Sequence, residues 1–229
     1  TVSHELRTPL TSIKGSLDLI NSGMLGSVPD KMEPILSIAG RNSGRLAALI
    51  NDILDLQRIE AGEMNYRFEI LDVEALLEEA VAANEAFAEQ FDVDLVCLPN
   101  PAGQVFVKGD EVRLMQVLTN VLSNAVKFSH EGEEVQVGYQ TLGDKVRIFV
   151  RDSGIGIPAG AHDTVFENFS QVDSSDQRKV GGTGLGMSIS RQIVEHHSGL
   201  IDYVSVIGQG TTFYIDLDLV KVQAEARAS

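Results

Sequence analysis

The sequence predicts an α + α/β protein of two domains, a helical hairpin followed by an α/β sandwich. Apolar residues recur three and four positions apart over residues 1–61, the spacing of helices that bury one face. From about residue 66 onward, helices alternate with short strands, and two pairs of strands are joined by tight turns. Helices mixed with hairpin-connected strands are typical of helices packed on one face of a mixed sheet.

Two long helices with one apolar stripe each make up the predicted first domain. The first ends near Ser22, before two glycines. The second begins at Asp30, with Glu33 at the spacing of a capping box, and Gly62 ends it. The stripes contain Leu6, Leu10, Ile13, Leu17 and Ile20, then Ile35, Ile38, Leu46, Leu49, Ile53, Leu56 and Ile59. Because one hairpin cannot bury both stripes alone, we expect a homodimer that forms a four-helix bundle.

The second domain contains all of the predicted strands. We expect helices over 71–91, 110–129 and 185–197, and strands over 93–98, 105–107, 134–141, 145–151, 200–206 and 211–217. A small polar tail follows. The predicted boundaries are therefore 1–64 for the hairpin, 65–221 for the sandwich and 222–229 for the tail.

Charge excludes one class of partner. Residues 1–66 carry 6 Lys and Arg against 8 Asp and Glu, a net charge of −2, and residues 67–229 carry 12 against 25, a net charge of −13. Nucleic acids and anionic membranes both bind positive surfaces. We therefore expect no nucleic-acid partner and no direct membrane contact by this chain.

The cellular compartment follows from what the sequence lacks. No apolar run approaches the ~20 residues that cross a bilayer. The lone Cys97 lies among apolar residues and is expected to be a buried hydrophobe rather than half of a disulfide. Because the chain opens without Met, we expect a fragment of a longer protein, with any sensor or anchor upstream, and a cytoplasmic location.

Two Gly-rich segments are candidate nucleotide loops. Residues 181–187 lead into a helix, and glycines followed by a helix N-terminus let backbone amides approach phosphate. The segment is neither a P-loop nor a dinucleotide fingerprint, and alone it fits a flexible loop equally well. The segment 152–158 follows a strand, and Asp152 could accept a hydrogen bond from an exocyclic amine or simply cap a turn.

A third candidate segment lies on the helix over 110–129. Asn120 and Asn124 are four residues apart and share a face, with Lys127 beside them. Asn is a poor helix former, which favours a functional reason for the pair. Amide oxygens suit Mg²⁺, and a lysine can neutralise phosphate.

Taken in chain order, the helix segment with Asn120, the segment 152–158 and the segment 181–187 resemble the N, G1 and G2 boxes of the histidine-kinase ATP-binding domain, with Phe166–Phe169 where that family has its F box. The resemblance covers nearly the whole chain. It implies the Bergerat-type sandwich fold shared with type II topoisomerases, a class of heat-shock chaperones and mismatch-repair ATPases, with ATP and Mg²⁺ as cofactors. The residues that it places at the nucleotide are Asn120, Asn124, Lys127, Asp152, Gly154, Gly156, Ile157, Phe169, Gly182, Thr183, Gly184, Leu185 and Gly186.

The same resemblance implies individual roles. Asp152 reads the adenine amine, Asn124 holds Mg²⁺ with Asn120 as a second metal residue, and Lys127 contacts phosphate. Residues 159–181 correspond to the ATP lid. Within this segment, the sequence of residues 173–179 resembles the lid of hybrid kinases. Arg178 and Lys179 could reach phosphate from there.

The first helix carries the candidate phosphate acceptor. His4 lies off the apolar stripe, Glu5 can hydrogen-bond its ring, and Thr8 is one turn on. Pro9 cannot donate to the carbonyl of Glu5 and should bend the helix there. The residues alone fit an ordinary kinked helix as well. Ser3–Leu10, however, resembles the H box of sensor histidine kinases.

That second resemblance implies a phosphoryl relay. It makes 1–64 a dimerisation and histidine-phosphotransfer domain and 65–221 a catalytic ATP-binding domain. His4 is phosphorylated by ATP with Glu5 as base, and the group passes to an aspartate on a response-regulator receiver domain. Thr8 corresponds to a residue that orients water when such a protein acts as a phosphatase.

Two alternatives stay open on the sequence. One is an ATP-driven machine of the topoisomerase or chaperone type, which hydrolyses ATP with a glutamate at the position of Asn120. An amide cannot serve as a general base, which favours the kinase. The other is a dimeric scaffold that has lost its chemistry, although every box is intact.

Overall fold

The computed structural model describes residues 2–24, 26, 28–99, 103–170 and 183–220, and for residues 2–7 it describes the backbone alone. The chain divides into two compact units, Thr1–Met64 and Asn65–Ser229. In chain order the helices and strands are α1 (Val2–Asn21), α2 (Glu33–Glu60), β1 (Glu69–Asp72), α3 (Val73–Ala88), β2 (Asp94–Cys97), β3 (Phe106–Gly109), α4 (Glu111–Phe128), β4 (Glu134–Leu142), β5 (Lys145–Arg151), α5 (His162–Phe166), α6 (Gly186–His196), β6 (Leu200–Val206) and β7 (Gly210–Asp218).

The first unit is the expected hairpin, in which α1 and α2 pack against each other. Gly62 ends α2 with a positive φ of 68°. Its N–H donates to the carbonyl of Ile59, and the N–H of Glu63 donates to the carbonyl of Arg58. These two hydrogen bonds are the pattern of a Schellman motif. Glycine is favoured at this position because the left-handed backbone penalises a side chain with a Cβ.

The prediction of a capping box at the start of α2 is wrong. The cap is Met32, which makes no side-chain hydrogen bond, and Asp30 lies in the turn before it. Pro34 is the second residue of α2. Proline fits the first turn because the amide hydrogen it lacks has no partner there, so the helix begins immediately before it.

Much of the apolar surface of the first unit stays open. Leu10 and Leu56 of the predicted stripes are buried, each with 7% of its surface exposed. Other apolar side chains of this unit are 46–78% exposed: Ile13, Leu19, Met24, Met32, Ile35, Ile38 and Leu46. A single copy therefore leaves a large part of the stripes in water.

The second unit confirms the predicted α/β sandwich. Its main sheet has five strands in the order β2-β4-β5-β7-β6, with β2 parallel to β4 and all other pairs antiparallel. Alternate residues of the three central strands are buried, for example Val137, Ile148 and Ile215. The helices α3, α4 and α6 pack on the sheet and on one another. This is a mixed sheet with helices against one face.

Three details of the second unit differ from the expectation. The helix expected from Leu71 begins at Val73, because residues 69–72 form β1 and Asp72 caps the helix by accepting from Glu74 N at 2.9 Å. β3 pairs with β1 in a separate two-stranded sheet rather than with the main sheet. The short helix α5 lies inside the segment assigned to the lid, of which 171–181 lie outside the described residues.

Among the described residues, no helix combines the length and apolar character that crossing a membrane requires.

Candidate functional site

Asp152 is the buried acid at the centre of the site. It follows β5 directly and is 6% exposed. Its Oδ1 accepts hydrogen bonds from the backbone N–H of Gly154 at 2.9 Å and of Thr211 at 3.1 Å. Burial raises the pKa of this carboxyl above its ordinary value, and the backbone hydrogen bonds offset part of that shift. Because both bonds arrive at Oδ1, Oδ2 is the atom available to accept from a ligand.

Two glycines next to Asp152 are required by close backbone packing. A Cβ on Gly154 would collide with the carbonyl of Phe128 at the end of α4, and one on Gly156 would collide with the carbonyl of Val206. Gly156 also has a φ of 72°. The predicted role of these glycines was to approach a nucleotide. The structure shows that they also press the loop against α4 and against the β6–β7 hairpin.

The sequence reasoning missed the residues that hold this loop from the other side. Ser205 Oγ accepts from the N–H of Ile157 at 2.7 Å and donates to the carbonyl of Gly210 at 3.0 Å. It also lies 2.8 Å from the hydroxyl of Thr211, whose N–H bonds Asp152. A Cβ on Gly210 would collide with the carbonyl of Asp152. The Gly208–Gly210 turn signalled only a hairpin, and nothing local to it points toward residue 152.

Helix α4 presents the predicted polar residues on its half-buried face. Asn120 Nδ2 donates to the carbonyl of Gly186 and to Ser190 Oγ, both at 3.2 Å, so it fastens α4 to the start of α6. An amide whose nitrogen donates in this way has its oxygen free to act as an acceptor. Asn124 is half-buried, and its side chain makes no hydrogen bond within the described part of the chain.

Lys127 is an unusual cation for this acidic domain. Its amine lies 5.8 Å from the centroid of the Phe87 ring, within cation–π distance. Burial lowers the pKa of the Lys127 amine, because a half-buried ammonium loses part of its hydration. Binding of an anion beside it would favour the charged form again.

The first turn of α6 is a candidate anion site. It begins at Gly186, its N-cap is the fully buried Leu185, and neither a capping side chain nor an acidic residue occupies the first turn. The N–H groups of such a turn have no helical partner and carry positive partial charge. Thr183 Oγ1 accepts from the N–H of Leu185 at 3.2 Å. Gly184 has a φ of 72° and packs against the backbone of Phe169.

Helix α4 brings these parts together. Gly154 packs against Phe128, and Asn120 bonds Gly186. Eight residues of helix separate the two contacts, which is about 12 Å at 1.5 Å per residue. Asn124 and Lys127 lie between them on the same helix. One end of the site therefore offers a buried carboxylate and the other offers the start of a helix.

Several predicted residues remain untested by the geometry. The side chains of His4 and Glu5 and all of Gly182, Arg178 and Lys179 lie outside the described residues. The backbone places residues 4 and 5 in α1, and Thr8 is exposed on that helix. Phe169 is 63% exposed with a φ of 60°, next to Gly184.

Comparison with known families agrees with this geometry. Residues 109–221 match the family model described as histidine kinase-, DNA gyrase B-, and HSP90-like ATPase, and residues 1–62 match the model of the His kinase A (phospho-acceptor) domain. The fold and site thus define an ATP-binding domain that follows a phospho-acceptor hairpin. The chain belongs to the sensor histidine kinase family, of which it carries the catalytic core.

Individual relatives show the extent of the match. Sensor protein kinase WalK of Staphylococcus haemolyticus is 36% identical over 219 residues, which cover 94% of this chain and 35% of that protein. Full-length ShkA, solved in complex with AMPPNP, has a TM-score of 0.78 and 27% identity over 100% of this chain and 47% of its own. Acinetobacter baumannii histidine kinase AdeS has a TM-score of 0.66 and 25% identity over 95% and 98%. The chain spans about a third to a half of the length of the curated relatives that it matches.

Proposed function

We propose that this chain transfers the γ-phosphoryl group of Mg²⁺-bound ATP to His4 and then to an aspartate of a response-regulator receiver domain. In this proposal residues 1–64 form the dimerisation and phosphotransfer domain, and residues 65–221 form the catalytic domain. The compact units Thr1–Met64 and Asn65–Ser229 support these boundaries.

The observation that carries the proposal is the arrangement along α4. A buried carboxylate with Oδ2 available, at one end, suits an adenine, whose exocyclic amine donates a hydrogen bond. An uncapped helix start, at the other end, suits a phosphate. Lys127 lies between them, and a bound anion would stabilise the charged form that its burial disfavours. A nucleotide laid along α4 satisfies all three.

The residues present also fit Mg²⁺. Among the described residues, no group of three or more His, Cys, Asp or Glu side chains could hold a metal. Mg²⁺ typically binds one or two protein oxygens together with substrate phosphates and waters. The amide oxygens of Asn124 and Asn120 would supply the protein ligands, the second oriented by the bonds from its Nδ2. Bound there, the ion would neutralise charge that develops on the phosphates.

The phosphoryl acceptor in this proposal is His4 rather than water. The residue at position 120 is an amide and cannot activate water as a base. His4 on α1 lies within the part of the chain that matches a phospho-acceptor domain. Glu5 would hold one ring nitrogen and thereby orient the other toward the phosphate. Thr8, one turn on and exposed, would orient the water that hydrolyses the aspartyl phosphate of the regulator, which is the phosphatase reaction.

A labelling experiment tests the proposal. The chain is incubated with γ-labelled ATP and Mg²⁺, and label on the protein should survive base and be lost in acid, as phosphohistidine is. The His4→Gln variant should lose the label and keep nucleotide affinity. His196→Gln, an exposed histidine on α6, is the matched control and should label normally.

The other outcomes separate the alternatives. Free phosphate released by unlabelled protein would favour an ATP-driven machine. Neither label nor release would favour a scaffold. Persistent labelling of His4→Gln would exclude His4 as the acceptor.

A further inference from the structure

His162 makes a contact that the phosphoryl-transfer chemistry does not use. It is the first residue of α5, and its Nε2 lies 2.8 Å from Oδ1 of Asp202 on β6. The same Oδ1 accepts the N–H of Tyr203 at 2.7 Å. Burial alone would raise the pKa of Asp202, yet these hydrogen bonds and the nearby His162 lower it below its ordinary value. The carboxylate is therefore a stable acceptor for the histidine.

Ring packing reinforces this contact. The imidazole of His162 stacks on Tyr203, with centroids 5.6 Å apart and planes inclined by 20°. Phe166, at the other end of α5, lies 5.5 Å from His162 and 6.2 Å from Tyr203. Tyr203 in turn packs on Phe213 at 5.3 Å. A helix of five residues has little stability of its own, so its position depends on such contacts.

The packing continues from α5 to the nucleotide site. Phe166 is 6% exposed, and the guanidinium of Arg191 on α6 lies 5.7 Å from its ring. Three residues after Phe166, the backbone of Phe169 lies against Gly184, at 3.0 Å from the position of a Cβ there. Gly184 is two residues before α6 begins. The placement of α5 therefore bears on the backbone that leads into the candidate phosphate end.

We propose that His162 is a positioning residue for ATP, which acts through its contact with Asp202 to fix α5 and the Phe169–Gly184 contact. The inference rests on the proposed nucleotide site. It assigns His162 no contact with substrate and no part in the chemistry. Loosening this contact should raise the free-energy cost of arranging residues 183–186 around phosphate, which weakens nucleotide binding while leaving the bound state equally reactive.

The test compares binding with turnover. Affinity for ATP with Mg²⁺ is measured by calorimetry on the 229-residue chain, and the labelling rate is measured at saturating ATP. We expect His162→Ala to weaken affinity about three- to tenfold, the range for loss of a hydrogen bond and a ring contact. The saturated rate should stay within about twofold. His162→Gln, which keeps a donor near the position of Nε2, should recover most of the affinity.

Two controls separate positioning from general stability. Lys145 Nζ lies 3.6 Å from Asp218 Oδ1 and forms another partly exposed side-chain pair of the same sheet. Lys145→Ala removes this pair and should change neither the ATP affinity nor the labelling rate. His162→Ala and Asp202→Ala should each weaken ATP affinity. Because both remove the same contact, the double variant should lose less affinity than the sum of the two single losses. Thermal midpoints of all variants check that the domain stays folded.

Each remaining outcome is decisive. Wild-type affinity in His162→Ala would overturn the inference, as would equal losses of affinity, rate and thermal midpoint in His162→Ala and His162→Gln. If the wild-type chain itself fails to bind ATP, the proposed function falls and the inference falls with it. Binding and labelling by the wild type together with an unaffected variant would remove the inference alone.

Discussion

The two units of this chain solve the problem of apolar burial differently. In the sandwich, side chains such as Leu77, Leu118 and Ile193 are at most 1% exposed. In the hairpin, Ile35 is 67% exposed and Ile38 49% exposed. Sheet and helices cover each other in the first case, whereas two helices have no third layer to cover their outer stripes. The sandwich is a complete core, and the hairpin is part of one.

This difference in burial indicates how the stability of each unit is determined. The stability of the sandwich should be a property of one chain. The stability of the hairpin should depend on protein concentration, because in the proposed homodimer a second copy would complete a four-helix bundle. The functional residues follow the same division, since the candidate nucleotide site lies within the sandwich and His4 lies on α1.

The largest expected effect breaks the hairpin. Replacing Ile35 and Ile38 by Asp places two charges in the proposed dimer interface, where neither has a partner. We expect the dimer dissociation constant to rise at least about 100-fold, equivalent to ~2.7 kcal/mol, as measured by analytical ultracentrifugation. Arg45→Gln, an exposed change on the same helix, should leave it unaltered. A double variant that dimerises normally would disprove this interface.

The next effect removes function from the sandwich without cost to its core. In Asp152→Asn, an NH₂ group replaces Oδ2, and the amine of adenine then meets another donor. We expect ATP affinity to fall about 100-fold, because the site loses a buried acceptor for a polar group. Calorimetry with ATP and Mg²⁺ measures it. Asp218→Asn, at the exposed end of β7, is the control.

The stability of the same variant should move the other way. Burial raises the pKa of Asp152, so the ionised form costs stability once the pH exceeds the ordinary range of an aspartate. Asn keeps an oxygen for Gly154 and Thr211 and carries no charge. The urea midpoint at pH 7 should therefore stay level or rise. A clear fall would mean that the carboxylate stabilises the loop.

Sequence reasoning succeeded where structure is local. The alternation of apolar and polar residues predicted both ends of β5 and of β6 correctly, and Gly62 marked the end of α2. The start of α2 was mispredicted although its cause is local, because Asp30 and Glu33 have capping spacing but the neighbouring Pro34 sets the helix start. Reasoning from the sequence failed where a distant partner decides, since the pairing of β1 with β3 depends on chain folding over more than thirty residues.

The site shows the same limit. The segments 120–128, 152–158 and 181–187 were found because each is a short motif. Ser205, Thr211 and Gly210 were missed, since each is an ordinary residue of a strand or turn until the fold brings it to Asp152. Motifs identified the chemistry, and tertiary contacts determine which residues hold it in place.

A third effect contrasts glycines of the two units. Gly154→Ala forces a Cβ against the carbonyl of Phe128, and backbone atoms on both sides should make this cost about 2 kcal/mol of unfolding free energy. Gly15 of α1 has open space around it, so Gly15→Ala should stabilise the hairpin by about 1 kcal/mol. Urea unfolding, with ATP affinity as a second readout for Gly154→Ala, measures both. Equal effects at the two positions would refute the packing role of Gly154.

The smallest effect concerns pH. His197 is buried, its Nε2 accepts the N–H of Asp110 at 2.9 Å, and its Nδ1 donates to the carbonyl of Ile193 at 2.7 Å. Desolvation lowers the pKa of His197, although the hydrogen bond to Ile193 and the nearby Asp110 oppose the shift. The neutral ring therefore links the start of α4 to the end of α6, and a proton on Nε2 would break the first bond.

The sign follows from this protonation. A histidine whose pKa is lowered in the folded state binds its proton first in the unfolded chain, so stability is lost as the pH falls below about 6.5. Between pH 7.5 and 5.5, we expect protonation of His197 to account for less than about 1 kcal/mol of the unfolding free energy that the wild type loses. The His197→Gln variant has no proton to gain and should not show this part of the loss. His196→Gln, on the exposed neighbour, should keep the full loss. If His197→Gln shows the same pH dependence as the wild type, carboxylates rather than His197 determine the acid limb, and the sandwich would have no histidine-dependent junction between α4 and α6.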